Sequence, residues 1–404
     1  MQTKGEDVLE ENKMGVMPVN KLIINMSLPM IISMLVQALY NIVDSVFVAM
    51  VNQESLTAVS LSFPAQNLMI GFATGTAVGV NALISRALGE KNGERANKIA
   101  ENGVFLALLS SIAFFLFGVF GSRLFISSQT SVQYIIDEGT KYLQVCCGAS
   151  FGIFFEIMYE RLLQSTGRTF YTMITQGVGA IINIILDPVF IFVFKMGVQG
   201  AAIATVIGQI IAFILAVYFN RRKNPDLHLD FKKFKPSGRF IGEIYKIGVP
   251  SILMVAIGSV MTYFMNKILI AYTLGKELSV NVFGAFFKLN SFICMPIFGL
   301  NNGVIPIIAY NYGAMKKQRM IKTIKLSVVY SIIGAILFFA LPKVLLGFFS
   351  ATPDMLRIGI PALKIISVSF LFAGANIALS GVFQSFGKSI FSMISSFIRQ
   401  LVVL

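Results

Sequence analysis

Tryptophan is absent from this sequence, histidine occurs once and cysteine three times. Charged residues are also scarce, at 13% of 404 positions, about half the share a soluble domain carries. That shortage excludes an ordinary soluble fold and a disordered chain. The lone His228 sits in a charged stretch and is given no role. Cys146, Cys147 and Cys294 lie in apolar runs, with spacing that suits neither a zinc site nor a disulfide framework, so they read as small apolar side chains. No H-E-x-x-H, G-x-S-x-G or paired catalytic aspartate motif occurs, which argues against an enzyme. No loop resembles a selectivity filter, which argues against a channel. No cleavable signal peptide is evident, because about twenty polar residues precede a first apolar run too long for an h-region. Without Trp, any interfacial belt must come from the 12 Tyr.

What is present is hydrophobic sequence, 56% of the chain. It falls in runs long enough to cross about 30 Å of hydrocarbon. Charge breaks place ten spans near 22–50, 56–86, 97–126, 132–164, 170–194, 199–220, 240–273, 279–311, 321–349 and 356–383, with an eleventh starting near 389. The net charge of +14 is a topology signal and not a nucleic-acid footprint. With residues 1–21 cytoplasmic and sides alternating, 23 Lys and Arg fall on the cytoplasmic side and seven opposite, as the positive-inside rule requires. The expectation is an all-α, multi-pass protein of the cell membrane with a cytoplasmic N-terminus.

The long charged stretch 221–239 follows six spans and divides the chain into an N-lobe (22–220) and a C-lobe (240–404). The lobes repeat each other. SLPMIISM around Pro29 matches GVPSILMV around Pro250 at a shift of 221. Gly75, Gly79 and Gly89 match Gly299, Gly303 and Gly313 at 224, and QSTGRTFYTMI from Gln164 matches QSFGKSIFSMI from Gln384 at 220. Both halves start on one side after an even number of spans, which makes this a parallel repeat. The repeat puts the end of the second half near residue 440, so the sequence is expected to stop in the eleventh span, roughly 36 residues short of a second complete bundle.

Acids inside spans are the informative charges, since a carboxylate at bilayer depth costs about 2.5–3.5 kcal/mol even on the lenient scale. Gln37, Asn41 and Asp44 share one helical face of the first span by their i, i+4, i+7 spacing, and Pro29 kinks that helix. In the fifth span Asn183 and Asp187 are i, i+4. Pro188 follows and frees a carbonyl. Two carboxylates, amides and loose carbonyls are oxygen ligands for a hard cation such as Na⁺; brought together without one, the carboxylates would bind a proton instead. Each aspartate could merely tie helices together. The second lobe argues otherwise: its only acids are Glu243, Glu277 and Asp354, all near span ends, and Met265 stands where Asp44 would recur.

Glu156 and Glu160 are i, i+4 in the fourth span. Glu160 is expected to pair with Arg161 at a helix end, leaving the deeper Glu156 as a candidate substrate contact. Lys288 is a candidate cavity cation, whereas Lys267 can snorkel. The 37 Phe and 19 Met mostly pack or face lipid, and some could line a vestibule for aromatic or cationic ligands.

These segments together resemble the multidrug and toxic compound extrusion (MATE) family of cation-coupled exporters. The likeness runs from about Asn20 to Leu404 and rests on Pro29 with Gln37…Asp44, NIILDPVFIF at 183–192, GAAIATVIGQ at 200–209, the QS-x-G-[RK] turns and MPIFGLNNGVIPIIAYNYGA at 295–314. It implies two six-helix bundles forming a V around a central cavity. It also implies exchange of organic, often cationic drugs for Na⁺ or H⁺, with no cofactor beyond the coupling ion and no nucleic-acid partner. Matching positions give a cation site of Asp44, Asn183, Asp187 and Thr205, with Gln37 and Tyr142 as polar partners. The expected protein is a monomeric antiporter working by alternating access. The alternative is a lipid-linked oligosaccharide flippase of related fold, which would want several cavity cations where only Lys267 and Lys288 are available.

Overall fold

The computed structural model of the chain describes residues 11–272, 276–340 and 376–398, with the main chain alone for 53, 258–294, 334–335 and 337–339. All described secondary structure is helical. After a single turn, α1 (Lys13–Val16), come the long helices α2 (Val19–Val51), α3 (Gln53–Gly89) and α4 (Gly93–Leu116). A π-turn at Phe117–Gly121 leads into α5 (Ser122–Ser127), followed by α6 (Gln133–Gly148), α7 (Phe151–Ser165) and α8 (Thr169–Pro188). A second π-turn, Val189–Val193, precedes α9 (Gly197–Lys223). The rest comprises α10 (Gly238–Tyr272), α11 (Lys276–Gly313), α12 (Lys317–Ala340), a helix α13 over residues 376–385 and α14 (Ser389–Phe397).

Local chemistry sets the ends. Asn52 caps α3 by accepting from the Ser55 N–H at 2.6 Å, and Asn92 caps α4 through the Arg95 N–H at 2.9 Å, each satisfying an orphan donor of the first turn. The fourth span is not one helix, as the hydropathy reading had it: α6 and α7 meet at a bend of 43°. The tenth proposed span lies mostly outside the described residues. Among the described residues, six helices are long and apolar enough to cross a membrane, or seven with the bent pair.

Two turns recur at the separations found in the sequence. Gly167 and Gly387, 220 residues apart, both adopt positive φ. Each donates its N–H to the glutamine three residues back, Gln164 at 2.9 Å and Gln384 at 3.0 Å. Lys91 and Met315, 224 apart, share φ 57 and sit in matching turns. Across the halves, α2 packs along α11 and α3 along α10 and α11. That seam is tightest at one end, where a Cβ on Gly89 would lie 2.0 Å from the Tyr310 carbonyl and one on Gly313 2.2 Å from that of Arg86. The chain before α2 closes the same end. Asn12 donates to the Thr166 carbonyl at 3.0 Å, while Asn311 donates to Met14 O at 3.0 Å and Arg319 to Met17 O at 2.7 Å.

Candidate functional site

The site sits in the first half, where α8 lies inverted for a soluble helix. Its buried positions are Thr169, Thr172, Thr175, Gly179, Ala180, Asn183 and Asp187, while Phe170, Ile181 and Ile185 are exposed. Water is absent on the outer side, so apolar residues face lipid and polar ones face protein. Small residues let α9 approach this stripe. A Cβ on Gly208 would lie 2.7 Å from the Gly179 carbonyl.

That approach puts Asn183 Nδ2 in reach of two acceptors, Thr205 Oγ1 at 3.2 Å and Asp187 Oδ1 at 3.3 Å. Asp187 is fully buried and Asn183 is 3% exposed. Three oxygens are left over. Asp187 Oδ2, Asn183 Oδ1 and Asp44 Oδ1 are all buried with no hydrogen-bond partner in the protein. A buried polar atom left unpaired costs about 1–3 kcal/mol, so the protein itself leaves these three oxygens uncompensated. Pro188 has no N–H to give the Ile184 carbonyl, and the π-turn begins directly after it, a distortion common at functional sites.

Asp44 comes from the other side. It is half-buried on α2 and within electrostatic reach of Asp187. Of its predicted neighbours, Gln37 is half-buried on the same helix, but Asn41 is exposed and its carbonyl accepts from Ser45 Oγ at 2.8 Å. Tyr142 is 3% exposed and packs with Val48, Cys146 and Ile191. Its hydroxyl accepts from Gln66 Nε2 at 3.2 Å and lies within electrostatic reach of Asp44. Pro29 is buried inside α2, more than three turns before Asp44. Cys146 and Cys147 are free and buried. Among the described residues no three His, Cys, Asp or Glu gather as a metal site. Lys267, Lys288 and Cys294 fall where side chains lie outside the described residues.

The expected ion pair of Glu160 with Arg161 does not form. Instead, the Glu160 carboxylate turns to α8, accepting from Thr175 Oγ1 at 2.6 Å and Gln176 Nε2 at 2.8 Å. Arg161 turns the opposite way, donating to Gln164 Oε1 at 2.8 Å and to Asn302 Oδ1 of α11 at 3.1 Å. Successive residues on a helix point about 100° apart, and each takes the partner on its own side. Glu156, half-buried, lies within electrostatic reach of Glu160 and of Tyr40. Sequence reasoning missed Gln66, Thr175 and Gln176. The available signal was the polar repeat Thr172, Gln176, Gly179, Asn183 and Asp187 in an otherwise apolar helix.

The sequence and the fold also match known proteins. The MatE family model matches residues 29–189 and 250–404. The multidrug export protein MepA of Staphylococcus haemolyticus is 29% identical over 379 residues, covering 91% of this chain and 82% of that protein. Its counterpart in Staphylococcus aureus (strain MSSA476) is 27% identical over 401 residues, covering 96% and 86%. A solved structure described as the outward-facing conformation of a multidrug resistance MATE family transporter superposes with a TM-score of 0.90 at 25% identity, covering 98% of this chain and 89% of that one.

Proposed function

This chain belongs to the MatE family, and from that premise we propose that it exports structurally varied small molecules in exchange for Na⁺ or H⁺. One observation supports the coupling: three unpartnered buried oxygens belong to Asn183 and Asp187, which contact each other, and to Asp44, which lies within electrostatic reach of Asp187. A hard monovalent cation takes such oxygens, and a proton shared by the two carboxylates relieves their mutual repulsion. Either occupant is the coupling ion, carried and not kept.

The two halves, N-lobe 22–220 and C-lobe 240–404, form the two sides of an alternating-access carrier. They meet most tightly at the end that carries Gly89 and Gly313, and by the positive-inside rule we assign that closed end to the cytoplasm. A cation arriving from outside binds between α2 and α8. Occupancy draws Asp44 toward Asp187, shifts α2 about its Pro29 kink and weakens drug binding. Entry of one positive charge releases about 2.3 kcal/mol per 100 mV. Drug and cation need only favour opposite facing states. The protein acts in the cell membrane with its N-terminus inside, as a monomer.

The test is efflux of ethidium or a fluoroquinolone from cells expressing the protein, with the sodium and proton gradients collapsed separately. Export should fail when one of them is removed. Export that survives the loss of both overturns the coupling.

A further inference from the structure

We propose that a groove between the starts of α2 and α12 binds the headgroup of an anionic phospholipid from the cytoplasmic leaflet. Pro18, Val19, Asn20 and Lys21 line one wall, and Gln318, Arg319 and Lys322 the other, around about 440 Å³. The inference rests on the membrane orientation given above.

The groove is positive for three reasons. Lys21 and Lys322 are exposed, Arg319 is half-buried, and none of the three pairs with a carboxylate among the described residues. Among the described residues Glu11 lies near this face; it pairs with Lys316 and is within electrostatic reach of Arg319. Arg319 donates to neutral acceptors, Asn311 Oδ1 at 3.2 Å and the carbonyls of Met14 and Met17 at 3.2 and 2.7 Å, so no carboxylate is hydrogen-bonded to it. Both helices also start here without an acid in their first turns, and α2 has no side-chain cap. Two helix N-termini of 33 and 24 residues therefore add their positive ends to the three cations, the arrangement that attracts phosphate.

A bare anion would need nothing more, but the groove continues. Beyond Lys21, a second depression of about 390 Å³ runs up α2, lined by Ile24, Asn25, Leu28 and Pro29. Ile24 and Leu28 are 53% and 52% exposed. Lys21 belongs to both depressions, so a charged compartment at the interface leads into an apolar one facing hydrocarbon. This is the polarity of a phosphodiester headgroup followed by its acyl chain. Basic pockets between spans on the cytoplasmic side hold such headgroups. The occupant would bridge α2, which carries Asp44, to α12 of the other half.

The experiment is native mass spectrometry of the full chain, released from micelles supplied with phosphatidylglycerol or phosphatidylcholine. The wild type should keep one phosphatidylglycerol under activation that strips phosphatidylcholine. The Lys21→Gln/Lys322→Gln variant should keep at least about tenfold less, whereas Lys232→Gln/Lys235→Gln, with the same charge change in the exposed linker, should behave as wild type. Equal retention by the first variant overturns the proposal, as does equal loss from the linker variant. Displacement of the lipid by millimolar inorganic phosphate also overturns it, since the apolar compartment would then contribute nothing. Retention is read without transport, so this test stands apart from the coupling mechanism.

Discussion

Arg161 of α7, 7% exposed, donates to Asn302 of α11 across the seam between the halves at 3.1 Å. The neighbouring Glu160 bonds back to α8, the helix that carries Asn183 and Asp187. Two adjacent residues thus tie the acid pocket to the opposite half.

Breaking that tie should loosen the contact between the halves. Asn302→Ala leaves a buried guanidinium short of a partner, at about 1–3 kcal/mol, which is roughly a 5-fold to 160-fold change in the ratio of closed to open forms. Spin-label distances between exposed positions 91 and 317 should lengthen or broaden in the variant. An unchanged distribution would show that the bond does not help hold the closure.

The glycines of the seam should be intolerant in a way other glycines are not. Gly313→Ala sets a Cβ 2.2 Å from the Arg86 carbonyl and should destabilise the closed form by more than about 1 kcal/mol, because backbone atoms must move. Gly242→Ala, in α10 with nothing within 4 Å, should instead stabilise by up to about 1 kcal/mol through helix propensity. Thermal melts in detergent distinguish the two signs.

Lys13 gives a pH signature outside the membrane. Its pKa is lowered to about 8, first by burial and then by the charge of Arg168, while Nζ donates to Asn25 Oδ1 at 2.6 Å. The folded state therefore sheds this proton before the unfolded state does. Its penalty is fully present below about 8, and stability rises with pH between that value and the ordinary lysine pKa of about 10.4. Melts of wild type and Lys13→Met across that window should differ in slope, with the rise reduced in the variant.

Much of this was legible in the sequence, and what was not has a physical reason. Asp44 and Asp187 stood out because acids are costly in lipid, and Asn183 followed from its helical spacing. The recurring turns at Gly167 and Gly387 and at Lys91 and Met315 lie at the separations read from the repeat. Asn41 shares the face of Asp44 by its spacing and is exposed, because periodicity fixes a face without saying what covers it. The Glu160–Arg161 pair was misjudged because adjacent helical residues diverge, and sequence neighbourhood was taken for contact. The bend between α6 and α7 carries no proline, so hydropathy passed over it.

Asn183 separates two roles for the site. Asn183→Ala removes the bonds to Thr205 and Asp187 and one of the free oxygens. It should weaken the apparent cation affinity by about tenfold or more, with less effect on the drug concentration at half-maximal export. Equal effects on both would mark it as a packing residue.

The most direct test of the account is gradient-driven drug export by Asp44→Asn and Asp187→Asn in proteoliposomes, with expression and melting temperature matched to wild type. Each substitution keeps the shape and removes the charge. The account predicts that both lose export driven by the coupling-ion gradient while still binding drug; export at the wild-type rate by either variant would contradict it.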